Sequence, residues 1–452
     1  MRRGTLTMES SIVGIEGAKE AVPLTAADRR AVRTALLGAV IGTTVEWYDF
    51  YLYATAAAAI FNHLFFPNMS PLAGTMSAYA TALIGFLVRP LGAIFFGHYG
   101  DRIGRKRVLV ITLVLMGGAT TLMGLLPTQA AIGIWAPILL TLLRAVQGFG
   151  AGAEYAGAVL VAIEYAPRGR QGLYGAIPYM GVAAGLLLAT VVFGLFSALP
   201  PAQFESWGWR MPFLFSAIVV MIGLVLRLRL RETPVFEQLE RLGHRSKRPI
   251  AEVFKLCRRE ILCAWGARIG DNSLAYVYDS FVIVYCTQDL QLPKTMILSA
   301  LAIAAAVQFV TVPLFGALTD RIGRRTVYVI GAILSGICVF PLFWALDTRS
   351  AVWITLALVA ASSGAKTMMT AAQGPWFAGL FPARLRFSGF AIAREVTSPL
   401  AGGLAPIVAT GLLAANAGSP TYVCFYVVGL AALTTVSLLL APATSRDLAV
   451  PD

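Results

Sequence analysis

The chain has 452 residues, of which 58% are hydrophobic and only 13% charged, with a formal net charge of +13. A water-facing surface needs about a quarter charged residues. A soluble enzyme, a disordered chain and a fibrous chain are therefore excluded, and an all-α membrane protein with many crossings is expected. The positive charge lies in short clusters between apolar runs, which points to membrane topology and not to a nucleic-acid partner.

Residues 1–30 are polar, lack the short apolar segment of a cleavable signal, and read as a disordered cytoplasmic tail. Apolar runs then predict twelve transmembrane helices, at 34–61, 75–99, 107–126, 133–164, 171–197, 211–230, 259–287, 295–318, 326–346, 351–380, 387–414 and 420–441. The fourth and tenth exceed a straight crossing of about 20 residues and should tilt or protrude. With both termini in the cytoplasm, 28 Lys and Arg residues fall inside, 3 outside and 5 within the crossings. That bias favours both ends inside. The polar stretch 231–258 reads as a linker between two six-helix bundles, 31–230 and 259–441, with a short cytoplasmic tail at 442–452. The five cysteines show no C-x-x-C spacing and the three histidines are scattered, so neither a disulfide framework nor a metal site is expected.

The loop after the second predicted helix reads G-H-Y-G-D-R-I-G-R-K (97–106), and the loop after the eighth reads G-A-L-T-D-R-I-G-R-R (316–325). Their aspartates, Asp101 and Asp320, stand 219 residues apart, close to half the chain. The unit is thus duplicated, as in many transporter folds. Gly97 and Gly316 permit close helix approach, and Gly104 and Gly323 allow a tight turn with φ > 0. Asp101 and Asp320 can accept backbone N–H bonds at a neighbouring helix start. Arg102, Arg105, Arg321 and Arg324 can pair with those aspartates, with Glu164 at the inner end of the fourth helix, or with lipid phosphates. Together these residues form an expected conformational lock.

These two loops resemble the hallmark loop of the major facilitator superfamily. T-T-V-E-W-Y-D-F-Y-L-Y (43–53), F-L-V-R-P-L-G-A (86–93), R-A-V-Q-G-F-G-A-G-A-E-Y (144–155) and R-E-T-P-V-F (231–236) resemble, more narrowly, its metabolite:proton symporter family. That resemblance implies two six-helix bundles around a central cavity. It also implies carriage of shikimate, di- or tricarboxylates, aromatic acids, proline or betaine. The chain departs from the family pattern at Ala153, at Gly379, where members often carry an acid, and at A-R-E-V (393–396). The second lock is therefore expected to be weaker than the first.

Charge inside hydrocarbon costs on the order of 2.5–3.5 kcal/mol per residue, so intramembrane charges mark function. At about 1.5 Å of rise per residue, Glu46, Asp49, Arg89, Arg144 and Asp271 all fall near the midplane, where transporters bind substrate. Glu46 and Asp49 share a helix face and can take up a proton as one coupled unit. Asp49 is expected as the main proton carrier, with Glu46, Glu154 and Asp271 assisting. Arg89, Arg144, Arg268 and Arg394 are candidates for holding a carboxylate, which the guanidinium fork matches. The structural alternatives are pairing of Arg144 with Asp49 or Glu154, and of Arg268 with Asp271. Gln147, Asn272, Gln308, Tyr53, Tyr155, Tyr179 and Tyr276 complete the expected substrate-binding set. Lys366 and Glu395 are further charges inside the second half.

The expected function is a proton-coupled symporter that imports a small organic acid by alternating access. The alternative is a carrier of a zwitterion such as proline or betaine. No H-E-x-x-H, nucleophile elbow or P-loop suggests an enzyme. No cofactor beyond the coupling proton and no nucleic acid is expected. The partners are a carboxylate substrate and the bilayer, for a monomer in a bacterial inner membrane.

Overall fold

The computed structural model describes residues 26–443 and Leu448, all helical or connecting segments with no strand among them. The expectations on 1–25 and on most of 444–452 lie outside the described residues. Twelve helical crossings follow in order: α1 (26–65), α2 (Pro71–Ile103), α3 (Arg105–Leu125), α4 (Trp135–Glu164), α5 (Gln171–Ser197), α6 (Arg210–Arg229), α7 (258–289), α8 (Lys294–Ile322), α9 (Arg324–Asp347), α10 (Ala351–Leu380), α11 (Ala383–Ala415) and α12 (Thr421–Leu440). Ten of these are long and apolar enough to cross a membrane on composition alone. The other two are α1 and α7, the first helix of each half. They carry Glu46 and Asp49, and Arg268, Asp271 and Asn272, in their middle turns. The two helices that are poorest as lipid-facing cylinders are thus the ones that bring charge to the interior.

Packing is mostly within halves. α1 lies on α5 and α6, and α3 on α6 and α4; α7 and α9 both lie on α12. The halves meet through α2 against α11 and through α8 against α5. These two pairs exchange under the repeat, as a pseudo-two-fold demands. The 231–258 stretch forms two short helices, Pro234–Arg241 and Pro249–Leu256. Thr233 caps the first of them through its hydroxyl, and proline opens each.

Both over-long crossings are irregular. α4 breaks its regular turn at Gly152-Ala153, and α10 carries a π-helical stretch at Val359–Lys366. Shorter π turns recur at equivalent places in α1 (Ala57–Phe61) and α7 (Val277–Phe281). Such turns are rare and gather at functional sites.

Candidate functional site

The two repeated loops meet at one end of the molecule, here termed the lock end. Asp101 is buried and accepts backbone N–H bonds from Phe387 (3.2 Å) and Ser388 (2.9 Å), at the start of α11. The Ser388 hydroxyl donates to the Gly97 carbonyl at 2.8 Å. The mirror contact has Asp320 accepting from Gly172 (2.6 Å) and Leu173 (2.9 Å), at the start of α5. Each aspartate therefore caps a helix of the opposite half, where orphan N–H groups and the helix dipole favour an anion. Arg105, with 0% exposure, lies 3.6 Å from Asp101 and 3.5 Å from Glu164, and donates to the Ala383 carbonyl at 3.2 Å. Arg386 of α11 reaches Glu164 at 3.8 Å. In the second lock, Arg324 donates to the Gln171 amide oxygen at 3.0 Å.

Arg102 and Arg321 are exposed at the loop surface, and Arg102 contacts only its own helix neighbour His98 and the linker's Arg245 among its hydrogen-bond partners. Glycine at 104 has a stronger reason than a tight turn alone. Its φ is +107°, and an added Cβ would lie 2.1 Å from Glu232 Oε2. Glu232, from R-E-T-P-V-F, accepts from the Arg105 and Lys106 N–H groups at 2.9 and 3.3 Å and so caps α3. Substituting Asp101→Asn should loosen the lock end, seen as faster labelling of a cysteine placed on α11 at its start. Asp320→Asn should act in the same direction but less, because Asp320 is only half-buried whereas Asp101 is buried.

At mid-depth in the first half, Asp49 is buried with both oxygens satisfied by hydroxyls. Thr120 donates to one at 2.7 Å and Ser216 to the other at 2.8 Å. Glu46 turns to a different partner, Arg89, at 3.1 Å; its second oxygen is buried without a hydrogen bond. The two carboxylates share a face but not a network, so the expectation that they form one unit is corrected. Arg144 is the unusual member. It is 4% exposed, its guanidinium donates to Gln147 and lies over the Tyr53 ring (4.2 Å) and near Phe50 (5.7 Å), and no carboxylate pairs with it among the described residues. Its Nε has no partner. Arg144, Gln147, Glu46, Arg89, Phe50 and Phe86 border a narrow cavity of about 10 Å³, room for one water molecule. Gly148 permits it: a Cβ there would strike the Gly85 carbonyl at 2.0 Å, so α2 and α4 touch backbone to backbone. The structural alternative of an Arg144 pair with Asp49 or Glu154 is not what the structure holds. Instead Gln147 links them, since its Nε2 donates at 2.6 Å to the Thr120 hydroxyl that in turn donates to Asp49.

In the second half, Arg268 pairs with Asp271 at 3.6 Å, the structural alternative for that arginine. Gln373 bridges the cluster: its oxygen accepts from Arg268 (3.2 Å) and Arg394 (3.3 Å), and its amide donates to Asp271. Tyr328 also donates to Asp271 at 3.2 Å. Arg394 lies over the Tyr155 ring at 3.6 Å and pairs with its neighbour Glu395 at 2.9 Å. Glu395 in turn approaches Arg89 at 3.7 Å, so charge contacts run from α1 through α2 to α11 across the halves. Tyr53 and Tyr155 are buried beneath arginines and position them. Gln308 donates to Ser362 at 3.2 Å, and Tyr179, Asn272 and Tyr276 are half-buried around the second-half cluster.

Glu154 is placed elsewhere than expected. It is buried in an ion pair with Arg227 of α6, with Thr112 donating to it at 2.8 Å. Arg227 reads in the sequence as a cytoplasmic anchor, yet it is 1% exposed. Both charges are satisfied, which makes the pair structural. Breaking a buried pair costs about 3–5 kcal/mol. Glu154→Gln is thus expected to lower the melting temperature sharply in detergent, while the surviving folded protein keeps its coupling ratio in liposomes. Sequence reading also missed Asp279, which receives the Lys366 ammonium at 2.8 and 2.7 Å.

The shikimate transporter of Escherichia coli (strain K12) is 39% identical over 417 residues, covering 92% of this chain and 95% of that protein. The chain belongs to the major facilitator superfamily. Residues 35–253 match the model described as Sugar (and other) transporter, and residues 261–451 match that of the Major Facilitator Superfamily. The inner membrane metabolite transport protein YhjE of the same organism is 37% identical over 451 residues, covering 97% of this chain and all of that one. Its proline/betaine transporter is 33% identical over 430 residues, covering 92% and 85%. Among solved structures, the proton:xylose symporter XylE bound to 6-bromo-6-deoxy-D-glucose superposes with a TM-score of 0.72 over 93% of this chain and 99% of that chain, at 17% identity. The protein is a multi-pass membrane transporter of small molecules, not an enzyme, with the twelve-helix fold of that superfamily.

Proposed function

We propose that this facilitator carries a small organic carboxylate together with a proton, with Arg144 as the anchor for the anion. The observation that carries the proposal is the buried guanidinium of Arg144, bordering the pocket without a carboxylate partner. Burying a cation unpaired is costly, and a guanidinium fork fits a carboxylate bidentately. The name of the shikimate transporter supports an acid as cargo, and that of the proline/betaine transporter keeps the zwitterion reading open.

Asp49 supplies the proton. When ionised, it accepts from Thr120 and Ser216, and its charge is relayed by Thr120 and Gln147 toward Arg144. The Thr120 hydroxyl has a second acceptor, the Met116 carbonyl at 3.1 Å. A proton on Asp49 can therefore turn Thr120 to that carbonyl without leaving a buried donor unsatisfied. Removing the negative charge leaves Arg144 to the substrate, so proton and anion bind together. A proton on Glu46 would likewise release Arg89 toward Glu395 and tie the halves at mid-depth. The two capped loops then hold the lock end closed until loading, and the lock end is assigned to the cytoplasm of a bacterial inner membrane, with both termini on that side. A monomer contains all of these residues.

The test is uptake by proteoliposomes of radiolabelled shikimate, proline and glycine betaine under an imposed pH gradient. Gradient-driven uptake of the acid supports the carboxylate reading. Uptake of betaine or proline alone would favour the zwitterion.

A further inference from the structure

Arg89 of α2 stands between carboxylates of opposite halves. The same guanidinium nitrogen, Nη1, lies 3.1 Å from Glu46 of α1 and 3.7 Å from Glu395 of α11. Glu46 and Glu395 are buried, Arg89 nearly so, and the second Glu46 oxygen has no hydrogen bond. Glu395 is held from its own half: Arg394 donates to one oxygen at 2.9 Å and Ser398 to the other at 3.1 Å. The contact sits on the seam between α2 and α11. Arg89 is eight residues before Gly97 and Glu395 seven after Ser388, so their contact lies about 10–12 Å from the lock end on the same two helices. Opening the lock end parts this seam, and so takes Arg89 away from Glu395 but not from Glu46.

The other charged groups within reach of Glu46 are Arg394 of α11 and Glu154 of α4, already paired with Glu395 and Arg227 respectively. Asp49, one turn along α1, is served by hydroxyls. Arg89 is faced besides by Arg144 of α4 and Tyr276 of α7, neither of which brings a carboxylate. While Glu46 is ionised, Arg89 can leave Glu395 and remain paired. Once Glu46 is protonated, leaving Glu395 strands a guanidinium away from water, which is strongly unfavourable. We infer that Glu395 is a positioning residue that holds the proton-loaded, cargo-free carrier shut at the lock end and so prevents proton slip. A cargo carboxylate placed against Arg89 returns the missing counter-charge and lets the seam part. This rests on the proton-and-carboxylate reading above and adds an order to it: the proton alone closes the seam, and proton with cargo releases it.

The test is thiol labelling of Ala391→Cys in purified full-length protein whose five native cysteines are replaced by alanine, with no cargo present. Ala391 is buried on the seam, its Cβ 3.7 Å from where a Cβ on Gly97 would stand, so a reagent reaches it only when the lock end opens. Glu46→Gln, which mimics the protonated acid, is expected to slow labelling at least about tenfold. That effect should require Glu395: in the double variant Glu46→Gln, Glu395→Gln the rate should stay within about twofold of that of Glu395→Gln alone. Glu395→Asp keeps a charge beside Arg394 but is too short to reach Arg89, and combined with Glu46→Gln it should give the same cancellation. Loss of the Arg394 pair then does not account for the result. Equal slowing by Glu46→Gln with and without Glu395, or no slowing at all, would overturn the role of Glu395. Failure of the transport reading looks different: gradient-driven uptake would be absent while the labelling pattern, measured without cargo, stayed intact.

Discussion

Arg144→Ala should abolish binding of carboxylates while leaving the protein at least as stable as before. Truncating one member of a buried charged contact costs about 2–5 kcal/mol, so affinity should fall on the order of thirty- to several-thousand-fold. Stability should not follow, because the arginine has no carboxylate partner to strand and only Gln147 among its side-chain hydrogen-bond partners. Arg144→Lys keeps the charge and loses the planar fork, and should recover only part of the affinity. Arg227→Ala provides the contrast. That arginine is paired with Glu154, so its removal should lower the melting temperature and leave the affinity of the folded fraction alone. Calorimetric titration and thermal unfolding of the three variants check the pattern; a large loss of stability in Arg144→Ala would make Arg144 a structural residue.

Asp49→Asn should separate transport from its driving force. The amide cannot give up a proton, yet it can still accept from Thr120 or Ser216, so the fold and the Arg144 pocket persist. Concentrative uptake under a pH gradient should be lost, while exchange of labelled for unlabelled substrate continues at a measurable rate. Thr120→Val should weaken the linkage without removing the carrier, since it deletes the hydroxyl between Asp49 and Gln147. Normal concentrative uptake by Asp49→Asn would remove Asp49 from the proton path.

Much of this arrangement is legible in the sequence because the bilayer simplifies it. An apolar run of about twenty residues must be a helix, and so the twelve crossings are readable to within a few residues at most ends. Depth follows from counting, which is why Asp49, Arg89, Arg144 and Asp271 could be put in one layer. The repeated loops announce their aspartates, although not that each caps a helix of the opposite half. What stays hidden is rotation. A helix that is apolar nearly all round gives no periodicity to say which way a charge points. Hence Arg227 looks like an anchor at a helix end and is instead the partner of Glu154. Arg386 looks like a loop residue and instead reaches Glu164. Asp279 sits in Y-V-Y-D-S-F-V-I-V with nothing local to flag it, because its partner Lys366 is 87 residues away.

The most direct test of proton-linked anion binding is the pH dependence of the dissociation constant for shikimate in the purified protein, with the Asp49→Asn variant beside it. If proton and anion bind together, lowering the pH supplies one of the two and must tighten the other, by at most about tenfold per pH unit for one proton. The expected result is affinity that strengthens from pH 8 to pH 6 in the unchanged protein and is flat across that range in Asp49→Asn. Binding that is flat in both, or that steepens equally in both, would contradict the coupling of Asp49 to Arg144.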